Sequence, residues 1–111
     1  MRGLRPLGAA LLVSAALAAT AVPAAALELP LERAEQRSLD FAERICARDK
    51  HCVRFGVLNC RRQGPKVALC RIFDERRTPA QGRYRCERLI RLSLDPRTQR
   101  LPVTGLGDWH C

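Results

Sequence analysis

Three hydrophobic patterns succeed one another along this chain, and each predicts a different element. Residues 8–22 form an unbroken run of Ala, Leu, Val and other small residues, ended by Pro23. Within residues 30–50, the apolar or small residues Leu31, Ala34, Ser38, Phe41, Ala42 and Ile45 recur at steps of three and four. That spacing marks one face of a helix. From Val53 onward the step becomes two. Val53, Phe55 and Val57 alternate first. Val67, Leu69 and Phe73 then face one way, with Ala68, Cys70 and Ile72 the other. Tyr84, Cys86, Ile90, Leu92 and Leu94 share one side of a third run. Alternation of this kind predicts strands.

Turn residues divide the strands. Pro30 suits the first turn of the helix, where a missing N–H costs nothing. Glu28, Glu32 and Glu35 crowd the helix start, and Arg44, Arg48 and Lys50 crowd its end, which complements the helix dipole. Strand one ends near Arg62, Gln63, Gly64 and Pro65 turn the chain, and strand two covers residues 66–74. Residues 75–82 have no apolar period and contain Thr78, Pro79 and Gly82, so they read as a loop. Asp95 and Pro96 stand as in a type I turn over residues 95–98. Residues 99–111 supply a fourth, irregular strand, loosened by Pro102, Gly105 and Gly107. The short links favour an antiparallel sheet. The expected fold is therefore α+β: one N-terminal helix packed on a four-stranded antiparallel sheet, with the outer sheet face solvated.

The leading apolar run changes the compartment. Arg2 and Arg5 make a positive start, the run follows, and Ala24, Ala25 and Ala26 offer the small residues that signal peptidase needs. Residues 1–26 read as a signal peptide cleaved after Ala26. Residues 27–111 then form a single small disulfide-rich domain, periplasmic or secreted. No second apolar stretch approaches the length of a membrane span.

Cysteine usage agrees with export. Cys46, Cys52, Cys60, Cys70, Cys86 and Cys111 all follow the signal. An even count in a short exported chain predicts a disulfide framework that supplements a modest core. Six cysteines allow about 15 connectivities, and the sequence does not choose among them. No C-x-x-C pair marks a zinc, redox or haem site, and His51 and His110 merely adjoin Cys52 and Cys111. We expect no metal and no cofactor. An enzyme is not expected either. Ser38 and Ser93 lie in no nucleophile turn, paired cysteines offer no thiol, and no glycine-rich phosphate loop is present.

Charge adds direction. Residues 27–50 hold five basic and six acidic residues, whereas residues 51–111 hold thirteen and five. Lys50 and Lys66 are the only lysines, so the excess is arginine, whose planar fork suits carboxylates and phosphates. Parity puts Arg83, Arg85 and Arg91 on the outer face of strand three, joined by Arg71. The anion-binding candidates are Arg61, Arg62, Arg71, Arg83, Arg85, Arg88 and Arg91.

A helix followed by four strands resembles cystatin-like inhibitors in element order. Gln99, Val103 and Gly105 do not reproduce the Q-x-V-x-G loop of that family, so the resemblance implies no function. Two readings follow. The first is an exported binding module that acts on another protein of the envelope or secreted fraction, as inhibitor, adaptor or accessory subunit. Its contacts would be two loops, residues 75–82 and 101–109. The alternative is polyanion binding through the arginine face, the ligand being lipopolysaccharide, acidic polysaccharide or nucleic acid.

Overall fold

The computed structural model of the chain describes residues 28–111. The expected signal peptide, residues 1–26, lies outside the described residues. One helix, α1 (Leu31–Arg48), is followed by β1 (Cys52–Gly64), β2 (Val67–Thr78), β3 (Gly82–Ser93) and β4 (Val103–His110). The strands form one antiparallel sheet in sequence order. The α+β architecture is the expected one.

The helix forms where the spacing places it. Pro30 is its N-cap rather than part of its first turn, and the Pro30 carbonyl accepts the first helical bond from the Ala34 N–H at 3.2 Å. Ala34, Ser38 and Ala42 are buried, with Leu31, Phe41 and Ile45 packed beside them. Their small side chains bring the helix close to β1 and β2, against which it packs. Arg33 and Arg37 reach from α1 to the β3–β4 connection, donating to the Gln99 and Leu101 carbonyls. The core below comprises Ala68, Cys70 and Ile72 of β2, Ile90 and Leu92 of β3, and Leu29, Leu94 and Leu101 from the flanking segments.

One expectation about β2 needs correction. The strand does not stop at Asp74, because it pairs with β3 through Thr78↔Gly82. Residues 75–82 are therefore mostly strand, and only Pro79, Ala80 and Gln81 link β2 to β3. Burial in β2 is two-sided. Leu69 and Phe73 point away from the helix, yet each is only 6% exposed. The guanidinium groups of Arg54 and Arg85 lie over the Phe73 ring, so a face that is largely solvated, as expected, also covers buried apolar side chains. Where both of its faces are covered, the central strand loses the simple alternation of buried and exposed residues. Residues 101–109 likewise lie mainly within β4.

All six cysteines are paired. Cys46–Cys52 ties the end of α1 to the start of β1. Cys60–Cys70 joins directly opposed residues of β1 and β2, with Cα atoms 4.0 Å apart. Cys86–Cys111 fastens the C-terminus to the buried side of β3. Three such bridges fit an oxidising compartment, as in periplasmic or secreted proteins. Among the described residues no helix is long and apolar enough to cross a membrane.

Candidate anion-binding face

The pleat of β2 sorts four consecutive charged residues onto two faces. Asp74 and Arg76 point toward the helix side, whereas Glu75 and Arg77 point outward. On the inner side Asp74 is 1% exposed and receives the Arg76 guanidinium at 3.1–3.3 Å. Arg76 also reaches Asp49 at 3.4 Å and lies 5.8 Å from the Trp109 ring centre. The hydrogen bond and charge of Asp74 hold the Arg76 guanidinium above its ordinary pKa, against the opposing effect of burial. This cluster joins the end of α1, β2 and β4. Its charges are spent internally, so it serves the fold.

The outer side is arranged differently. Register across the sheet sets Arg54 of β1, Glu75 of β2 and Arg85 of β3 side by side. Arg54 Nη1 lies 3.5 Å and Arg85 Nη2 3.3 Å from Glu75 Oε1, while Arg83 Nε lies 3.2 Å from Oε2. The Glu75 side chain is 13% exposed, but the three arginines are 61%, 54% and 42% exposed in the order Arg54, Arg83, Arg85. One enclosed carboxylate thus meets three open guanidinium groups.

Beneath them lies Phe73. The Arg85 guanidinium carbon sits 4.3 Å from the ring centre and that of Arg54 sits 5.7 Å away. Cation–π contact holds both groups over the ring, and one N–H edge of each meets Glu75. The ring fits because its neighbour on β1 is Gly56: a Cβ there would come within 2.6 Å of Phe73 Cε1. A second cluster continues along the sheet. Arg71 lies 4.0 Å from Glu87, and Arg61 and Arg91 flank Leu69 in register.

Five of the seven arginine candidates share this face: Arg61, Arg71, Arg83, Arg85 and Arg91. Arg62 and Arg88 do not. Arg62 is in register with inner-facing Ala68 and pairs with Glu28 at 3.6 Å. Arg88 is in register with inner-facing Ile72 and donates to the Gly107 carbonyl at 3.0 Å, filling an irregularity between β3 and β4. Gly107 takes the left-handed conformation that this irregularity requires. Arg54, Arg77 and Glu75 were absent from the candidates. Parity against Phe55 and Val57 is the signal that finds Arg54. Arg77 and Glu75 become visible only once β2 is extended past Asp74. Among the described residues no three His, Cys, Asp or Glu side chains converge to hold a metal ion.

Compared with protein-family models, with curated proteins and with solved structures, the chain matches none. The reading of its function rests on the geometry of the chain itself.

Proposed function

We propose that this protein is an exported, non-catalytic binding module that holds an acidic polysaccharide against the outer face of its sheet. The observation that carries this reading is charge placement. Arg54, Arg61, Arg71, Arg77, Arg83, Arg85 and Arg91 line that face, with Glu75 and Glu87 as its acids. Neighbouring strands lie about 4.8 Å apart, so the arginines form a grid that an extended polymer can follow. Capture of a protein by loops has less support, because the two segments expected as loops are largely strand. Nucleic acid is also disfavoured. The aromatic ring on this face, Phe73, is covered by Arg85 and offers no platform for stacking bases.

The test is retention of the oxidised protein on immobilised polygalacturonate through a salt gradient. Release is expected at modest salt, as for binding dominated by ion pairing. Charge reversal at Arg83, Arg85 and Arg91 together is expected to abolish retention. Unchanged retention of that variant would exclude this face.

A further inference from the structure

We propose that the cleft formed by Arg54, Arg83 and Arg85 around Glu75 is a site for a phosphomonoester group. This assignment rests on the outer face being the binding surface, and it names the chemical group that face selects. The cleft has a volume of about 390 Å³ and is lined by Arg54, Glu75, Arg83 and Arg85, with Tyr84 between the two β3 arginines on the opposite pleat.

Charge and donor count select the ligand. Three guanidinium groups and one carboxylate leave a net charge of +2 in the cleft. Each guanidinium has about five N–H donors, more than the two oxygens of one carboxylate can accept. Glu75 already supplies a carboxylate, and as part of the same chain it competes at high effective concentration. A single carboxylate such as acetate must displace it and replaces like with like, whereas a polyuronate is retained by many weak contacts along the whole face. A phosphomonoester brings about −1.5 to −2 charge at pH 7 and three acceptor oxygens. It can take the unused N–H edges above Glu75 without removing it. Phe73 holds Arg85 and Arg54 in place, which lowers the ordering cost of binding. Glu75 thus sets the charge that the site accepts. With it the cleft matches a dianion, and without it the cleft loses that preference.

The test follows the Arg83 and Arg85 Nε–H resonances of the oxidised protein during titration with methyl phosphate or with acetate at equal ionic strength. Methyl phosphate is expected to shift both saturably, and acetate to shift neither. Binding should tighten as pH rises from about 5.5 to 7.5, because the second phosphate proton is lost near pH 6. The charged groups on this end of the face are Arg54 from β1, Glu75 and Arg77 from β2, and Arg83, Arg85 and Glu87 from β3. Carboxyl and guanidinium groups ordinarily titrate outside that range. Glu75→Gln removes a unit charge beside the ligand, so methyl phosphate should bind about fivefold tighter and acetate should become detectable. Arg85→Gln should abolish the shift at Arg83.

Equal shifts with phosphate and acetate would overturn the assignment, as would Glu75→Gln without effect on phosphate affinity. If polygalacturonate is still retained in that case, the face remains a polyanion binder and only its selectivity for phosphate fails. Loss of both kinds of binding removes both readings. The source of the group is read separately. Preference for phosphatidic acid vesicles over phosphatidylglycerol vesicles of matched surface charge assigns a lipid-borne phosphomonoester. Methyl phosphate binding without that preference assigns a soluble one.

Discussion

Gly56→Ala tests whether the outer layer is packed or merely decorated with charge. The added Cβ would lie 2.6 Å from Phe73 Cε1 and 2.8 Å from Cζ, so the ring must move by most of an ångström to reach ordinary contact. Phe73 is only 6% exposed and is stacked under the Arg85 guanidinium, so the movement lifts a covered layer. Overpacking of this kind costs about 1–3 kcal/mol. Alanine for glycine in a strand otherwise gains roughly 0.5–1 kcal/mol from backbone entropy. Phe73→Leu removes the two ring atoms that clash. Gly56→Ala should therefore destabilise the wild-type chain but be neutral or stabilising in the Phe73→Leu background. The expected coupling is about 1–3 kcal/mol in a double-mutant cycle. The assay is urea unfolding with the disulfides intact, read alongside the ring-shifted Arg85 Nε–H resonance. Additive effects, with that resonance unmoved, would mean that Phe73 pivots freely and that the stack orders nothing.

Three further outcomes are expected. Replacing Cys86 and Cys111 by alanine opens a bridge with a sequence separation of 25, for which chain entropy predicts a loss of about 3–4 kcal/mol. Hydrogen exchange should show the loss first in β4, and uniform deprotection would contradict a local fastening role. Asp74→Asn should cost about 2–3 kcal/mol in urea unfolding. That is below the usual ~3–5 for a broken buried pair, because Arg76 is 23% exposed and retains Asp49. A cost under about 0.5 kcal/mol would show the pair to be dispensable. Ser38→Ala should stabilise by about 1 kcal/mol, since the buried Ser38 hydroxyl finds no partner among the described residues. A fall in the unfolding midpoint would reveal one.

Some of this fold can be read directly from residue spacing. The four-residue steps from Ala34 to Ser38 to Ala42 fix the buried helix face. Unbroken parity from Tyr84 to Leu94 fixes which side of β3 is buried and sends Arg83, Arg85 and Arg91 outward. The Cys60–Cys70 bridge is not legible in this way: the turn at Pro65 and Lys66 would by itself set Cys60 against Arg71, and only the register shift between Arg62 and Gly64 brings Cys70 opposite. The end of β2 is different. Asp74, Glu75, Arg76 and Arg77 carry no apolar alternation, and the groups that satisfy them come from distant segments. Asp49 and Trp109 serve Arg76, whereas Arg54, Arg83 and Arg85 serve Glu75. A hydropathy pattern records none of these partners, so a strand with charged residues on both faces reads as a loop. Arg88 shows the converse limit. Its parity with Cys86 and Ile90 already sets it apart from the outer arginines, but the irregularity it fills depends on how β4 docks.

The same pleat explains why the basic excess of the sequence acquires a direction. A central strand must satisfy polar side chains on both faces. On the helix side burial leaves no room for surplus charge, so the Asp74 carboxylate is matched by Arg76, with Asp49 beside it. An unpaired charge there would cost several kcal/mol, on the order of the desolvation penalty of one ion. The outer face has no such constraint, because its guanidinium groups reach water while those of Arg54 and Arg85 cover Phe73. Arginine performs both tasks at once, as apolar cover and as exposed charge. Inner-side Arg88 is held by the Gly107 carbonyl instead, and the clustered cations lie on the outer side. Lysine would keep the charge there but lose the planar contact with Phe73 and the forked presentation of N–H donors. Arg54 and Arg85 meet both demands at Phe73.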